Sequence, residues 1–271
     1  MSSTFHLPEL EHDRLLIEAE LLRIVERERL SSGPVVFECM KYALFSGGKR
    51  IRPLLGLQVA KALAAVPSAC LPSAAAVELL HTASLIIDDL PCMDNTAIRR
   101  AQPATHVRYG EGIAILTGFA LLVLSVRVSQ NETCRFAGLE TGKFQDMLLD
   151  AVSRRGLISG QEVDITAQSV SDAIYAKTVP LFELACAAGL TCCEVPVAIR
   201  SGILAFGRRY GRAFQAVDDM LDRGRMADRA NREIVECSVL LDDLQAQDSR
   251  VKPLRTFIDW LRECQPAMRS A

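Results

Sequence analysis

Apolar residues return every third or fourth position through most of this chain, a period that leaves few folds open. The stretches "LLIEAELLRIV" (15–25), "AAAVELLHTASLII" (74–87) and "GILAFGRRYGRAFQAVDDML" (202–221) each gather their apolar side chains on one helical face. Period-two runs joined by hairpin turns are not evident, and aromatics supply only 6% of residues, so a core of Ala and Leu packed helix on helix is expected rather than a sheet. With 271 residues, 49% of them hydrophobic, there is enough apolar surface for one large all-α domain, residues 1–271, of about ten helices.

Turn-forming residues punctuate the pattern at "SSGP" (31–34), "SGGKRIRP" (46–53), "AVPSACLPS" (65–73), 88–94, "RRG" (154–156) and "DRGR" (222–225). None is long enough for an interdomain linker, and no internal repeat is found. A net charge of -2 provides no field for nucleic acid or an anionic membrane, so any charge-based function is local. The nine cysteines, an odd number without paired CxxC units, suit a reducing cytoplasmic setting. "MSSTFHLPELEHDRLL" lacks the apolar run of a secretory signal. "AILTGFALLVLSVRV" (114–128) falls short of the roughly 20 residues a membrane span needs and reads as a buried core helix.

Two apolar helices end in acids. In "FQAVDDMLD", Asp218 and Asp222 lie one turn apart on one face with Asp219 beside them, behind Phe214, Ala216 and Val217. In "SLIIDDLPCMDN", Asp88 and Asp89 precede Asp94 by a spacing that a straight helix would point elsewhere. Pro91 disfavours helical geometry at Leu90, so the chain is expected to turn there and carry Asp94 back. Oxygen-only ligands so spaced suit Mg²⁺, which takes one or two carboxylates and completes its shell with water and substrate phosphate. A solvated helix end is the alternative for either cluster alone; two such ends on apolar helices weigh against it.

Cations accompany the acids. "GGKRIRP" offers Lys49, Arg50 and Arg52 behind two glycines that would let backbone approach an anion, and Arg99 and Arg100 follow the first acidic cluster. Arginine forks grip phosphate oxygens bidentately, while lysine acts as a mobile point charge. His81 stands seven residues before Asp88, on nearly the same helical face; a satisfied core histidine is the alternative.

Taken together, "GGKRIRPLL", "HTASLIIDDLPCMDN", "RR" (99–100), "GQEVD" (160–164), "KT" (177–178) and "FQAVDD" (214–219) resemble, in order and separation over about residues 35–225, the trans-isoprenyl diphosphate synthase family, especially bacterial and plant geranylgeranyl diphosphate synthases. The resemblance implies an isoprenoid synthase fold around a central apolar cavity, a homodimer, and condensation of isopentenyl diphosphate with an allylic diphosphate. It also implies that Asp88, Asp89, Asp94, Asp218, Asp219 and Asp222 bind Mg²⁺ and the allylic diphosphate, with Lys177 and the first five of these aspartates serving catalysis. Lys49, Arg52, His81 and Arg100 would hold isopentenyl diphosphate, and Arg99, Lys177 and Gln215 the allylic side; Thr178, Gln161 and Asp164 match motif positions of less defined role. Loss of diphosphate from an allylic carbon needs its charge neutralised, and the carbocation needs a dry cavity. The departing diphosphate is the expected proton acceptor on the family pattern.

On the same resemblance, small residues at Ala83 and Ser84, where farnesyl-producing relatives often carry an aromatic, imply a pocket long enough for a C20 product, with Leu80 or Phe119 as a deeper floor; close helix packing is the other account of them. Farnesyl diphosphate synthesis remains the alternative product. Departures from the pattern include Ile87, Ala101, Phe119 and Val179, a short Gln161–Lys177 interval, and "RGRMADRANRE" where a "GK…D…K" segment is usual. There Arg223, Arg225 or Arg229 either substitutes for the lysine or belongs to a solvated turn in the shortened 226–271 segment. These departures keep open a weakly active or non-catalytic partner subunit; a terpene cyclase would leave "GGKRIRP" unexplained.

Overall fold

A computed structural model describes residues 10–131, 141–153, 156–166, 173–223 and 227–264. Within them the chain is all-α: α1 (Glu11–Arg27), α2 (Pro34–Phe45), α3 (Ile51–Ala62), α4 (Pro67–Asp88), α5 (Thr105–Tyr109), α6 (Glu111–Asn131), α7 (Thr141–Val152), α8 (Leu157–Ile165), α9 (Ala173–Leu190), α10 (Val197–Arg223), α11 (Ala227–Gln247) and, after a 3-10 segment at Ser249–Leu254, α12 (Arg255–Glu263). The helical reading of the sequence holds, with more helices than expected.

Three local features differ from it. A small hairpin pairs Ile98–Arg99 with Gln102–Pro103, closed by Arg100 and Ala101, whose φ of 53° and 60° both lie in the left-handed region that a tight hairpin turn demands. "AVPSACLPS" is not one continuous break, because α4 starts at Pro67 and runs through Pro72. Burial of Ala69, Cys70, Ser73 and Ala74 outweighs the one helical bond that an interior proline removes. Finally, "AILTGFALLVLSVRV" belongs to a 21-residue helix that is not buried all round. Leu116, Phe119 and Val123 form an exposed apolar stripe on α6. By length and composition, α4 and α6 could each cross a membrane, although most of α4 is enclosed by other helices.

The centre is made by α3, α4, α9 and α10 packed on one another. Two close crossings set their alignment. A Cβ at Gly189 would sit 2.4 Å from the Gly56 carbonyl oxygen, and one at Gly56 would sit 2.6 Å from that of Ala185, so α3 and α9 touch backbone to backbone. Likewise a Cβ at Gly211 would fall 2.9 Å from Val179 Cα, drawing α10 onto α9 one turn before Gln215. Motif residues Arg52, Thr178 and Gln215 therefore stand beside the points where their helices come closest.

Candidate active site

Pro91 acts as expected. Helix α4 ends at Asp88, and the Asp94 amide donates to the Asp88 carbonyl at 2.8 Å, returning Asp94 to the helix end. Gln161 on α8 donates from Nε2 to Asp94 Oδ1 at 3.3 Å. Burial, with help from Asp94 and Asp89, pushes the Asp88 carboxyl up to about 6, opposed by the cations of Lys177 and Arg99. Asp89 is turned the other way: it is buried, and Arg99 grips both of its oxygens, Nε reaching them at 3.0 and 3.2 Å. Among the described residues no three carboxylate, imidazole or thiol groups converge into a preformed metal cage.

The glycine pair of "GGKRIRP" makes room for a cation instead of the anion anticipated above. Gly47 and Gly48 have φ of 111° and 122°, and a Cβ at Gly48 would strike the Arg100 guanidinium carbon at 2.8 Å. Arg100 also donates to the Gly47 carbonyl at 2.7 Å. Arg50 does not face a phosphate site either, since its side chain is buried against Glu78 at 2.8 Å and bonds the Leu44 carbonyl. Glu78, 2% exposed, also lies 3.7 Å from Arg100, so one buried carboxylate ties two cations of separate motifs. The sequence reading missed it; its only trace is a lone acid on the apolar face of α4, one turn before His81.

Arg52 faces the site. Its Nη1 lies 3.1 Å from His81 Nε2, and its guanidinium lies over the Phe182 and Phe214 rings at 4.8 and 5.8 Å. Burial lowers the Arg52 pKa to about 10, with Glu78 and Asp218 among the charges opposing this, and it remains a cation at neutral pH. His81 is held well below its ordinary value by burial and by surrounding arginines, so it is a neutral acceptor rather than a second cation.

At the second cluster, Thr178 Oγ1 donates to Gln215 Oε1 at 2.5 Å, which orients the amide so that Nε2 donates to Asp219 Oδ1 at 3.0 Å. The neighbouring Lys177 pairs with Asp164 of α8 at 2.5 Å and exerts its charge on Asp88. Adjacent residues of α9 thus address different acidic ends, Lys177 the first and Thr178 the second. Pro180 cannot donate to the Ala176 carbonyl, which leaves this turn of α9 one helical bond short. The side chains of Asp222 and Arg223, and all of Arg225, lie outside the described residues. Arg229 is taken up in a stack, 4.8 Å over the Tyr175 ring, beside Arg212 at 4.5 Å.

Along α4, His81, Ser84 and Asp88 recur at i, i+3 and i+7 and share one stripe, where Ser84 Oγ bonds the His81 carbonyl at 2.9 Å. Ala83 and Ile87 turn toward α6, where a Cβ at Gly118 would meet Ile87 Cδ1 at 2.9 Å and the Ala83 carbonyl oxygen at 3.7 Å. Leu80 is buried in the core, whereas Phe119, 59% exposed, stands on the outer face of α6 and is no pocket floor. Lys49 extends to the C-terminal helix, its Nζ 5.6 Å from the Trp260 ring centroid.

Comparison with known proteins matches residues 34–236 to the family model described as polyprenyl synthetase. The large subunit 2 of a heterodimeric geranylgeranyl pyrophosphate synthase from Arabidopsis thaliana is 35% identical over 207 residues, covering 73% of this chain and 54% of that protein. The geranylgeranyl diphosphate synthase of Cyanophora paradoxa is 34% identical over 195 residues, 69% of this chain and 65% of that one. The chain therefore spans less than two thirds of the length of these curated relatives. Among solved structures, a geranyltransferase from Legionella pneumophila superposes with a TM-score of 0.79 at 28% identity, over 95% of this chain and 99% of the other. An apo FPP/GFPP synthase from Zymomonas mobilis gives 0.72 at 27%, over 92% and 95%.

Proposed function

Because this chain belongs to the polyprenyl synthetase family, we propose that it is a Mg²⁺-dependent prenyltransferase joining isopentenyl diphosphate to an allylic diphosphate, with geranylgeranyl diphosphate as product. The observation that carries the reading is the pair Lys177 and Thr178, which links the two acidic helix ends through one turn of α9. Such an arrangement suits a substrate that bridges the ends and is useless to a merely solvated surface.

The carboxylates fit magnesium. Asp88 and Asp94 at one end and Asp219 at the other offer hard oxygens, one or two to each ion, with diphosphate to complete the shell. When bound, the metal would neutralise charge on the leaving diphosphate. Lys177 would add a cation on the allylic side, while Arg52 and Arg100 would bind the second diphosphate. Neutral His81 keeps the Arg52 fork aimed without competing for the anion. The apolar helices would keep water from the allylic carbocation, which the alkene of isopentenyl diphosphate attacks to form the new C–C bond; the condensed cation then loses a proton to the departing diphosphate.

The small side chain of Ser84, on the stripe of Asp88, supports a C20 product over C15. The exposed Leu116, Phe119 and Val123 support a homodimer through α6; Phe119→Glu would then yield monomers by sedimentation, and an unchanged mass would refute this interface. Eight free thiols among the described residues support a reducing, cytoplasmic setting.

The test is incubation of the purified chain with Mg²⁺, labelled isopentenyl diphosphate and, separately, dimethylallyl, geranyl and farnesyl diphosphate, followed by chromatography. A C20 product is expected, and C15 would retain the reaction while refuting the pocket. One observation favours a second reading: the Arabidopsis relative is named as a subunit of a heterodimer. Folded protein inactive with every primer would favour the reading of this chain as a partner subunit.

A further inference from the structure

Helix α12 lies beyond the segment matched to the family, yet it reaches two of the motif blocks. Its buried face, Phe257, Ile258, Trp260 and Leu261, packs it against the body of the protein. Trp260 is the only tryptophan in the chain. Its ring is stacked on Phe214 of "FQAVDD", centroids 6.2 Å apart and planes 19° from parallel, and carries the Lys49 ammonium of "GGKRIRP" at 5.6 Å. Phe214 in turn meets Phe182 at 4.9 Å, and the Arg52 guanidinium lies over both rings. The result is one aromatic column, Trp260–Phe214–Phe182, with two cations of a single motif laid along it. Burial pushes the Cys264 thiol up to about 12 while the Lys49 charge pulls against it, a sign that the ammonium lies near the end of α12.

Cations that meet a substrate diphosphate can be fixed in more than one way. A carboxylate would hold them and neutralise them, as Glu78 does Arg50 and Asp89 does Arg99. A π face attracts a cation through its quadrupole and leaves the charge available to an anion. Lysine gains most from this, because its flexible stem otherwise scatters the charge over many rotamers.

We infer that Trp260 is a positioning residue for Lys49, and that α12 completes the isopentenyl diphosphate side of the site through the aromatic column. The inference rests on the substrate reading given above. Isopentenyl diphosphate reaching Lys49 brings a strong anion beside the indole, so the emission of the sole tryptophan reports on that site.

The experiment titrates the full chain with isopentenyl diphosphate, without allylic primer, following tryptophan emission and, in parallel, binding heat. A saturable emission change that tracks the heat and is lost in Lys49→Met supports the inference. Trp260→Leu, checked for unaltered helicity, is expected to raise KM for isopentenyl diphosphate about fivefold with the allylic KM unmoved, and Trp260→Phe to recover most of it. Binding heat with constant emission, or a Trp260→Leu effect shared equally by both substrates, would overturn the positioning role alone. Absence of binding heat would instead overturn the substrate reading, and this inference with it.

Discussion

Arg52 Nη1 stands 3.1 Å from His81 Nε2, and because a guanidinium can only donate, the imidazole must be neutral with its proton on Nδ1. The unfolded chain takes up a proton near the ordinary value of 6.5 that the folded imidazole refuses. Stability contributed by His81 is therefore present above that value and declines as pH falls through it, by at most about 1.4 kcal/mol per unit. Asp88, raised to about 6 from 3.8, acts oppositely, favouring the fold as pH falls through that window. Thermal midpoints between pH 7.5 and 5, roughly the span where the histidine reference value lies, should therefore drop more steeply for wild type than for His81→Gln. Parallel profiles would mean that burial does not depress the folded imidazole.

Glu78→Gln should be among the most damaging single changes in the protein. It removes the carboxylate between buried Arg50 and Arg100 while leaving the cations in place, at a cost of about 3–5 kcal/mol. Denaturant titration measures it. An Arg50→Met, Glu78→Met pair should lose less than the single variant, since it leaves Arg50 no charge to bury.

Ser84→Phe should shorten the product, because it adds bulk on the stripe that carries His81 and Asp88. Ala83→Tyr is a poorer probe. Ala83 is only 5% exposed beside the α6 crossing, and overpacking there should cost about 1–3 kcal/mol of stability. Product length by chromatography and midpoint by calorimetry separate the two effects; an unchanged product from Ser84→Phe would remove that residue from the pocket.

Ala101→Gly should stabilise the protein. Alanine at φ of 60° bears the left-handed penalty of about 1–2 kcal/mol, partly offset by the extra freedom glycine has when unfolded, leaving a net gain on the order of 0.5 kcal/mol. A lowered midpoint would show that the hairpin turn bears no such strain.

Some of this site is legible in residues alone and some is not, for physical reasons. The return of Asp94 follows from Pro91, a local steric rule acting within one turn. The helical stretches follow from their period, although α4 through Pro72 does not, because buried neighbours distant in sequence stabilise that turn. Glu78 leaves almost no trace, since its partners Arg50 and Arg100 lie 28 residues upstream and 22 downstream and meet it only after three elements have packed. The Asp89–Arg99 pair is hidden differently: composition supplies both charges, but only the bend after α4 decides whether they face a ligand or each other. Helix α6 is misread as fully buried because it is apolar all round, and periodicity cannot mark the side left facing outward.

The crossing of α3 and α9 has a bearing on how such a chain can change over generations. Gly56 and Gly189 exclude side chains from opposite sides of one contact, Gly189 against the Gly56 carbonyl and Gly56 against that of Ala185. Neither can acquire even a methyl group unless the other helix recedes, and α9 cannot recede without carrying Lys177 and Thr178 with it. A single side chain added at either position therefore pushes the helices apart and carries that displacement to the residues that address the two acidic ends.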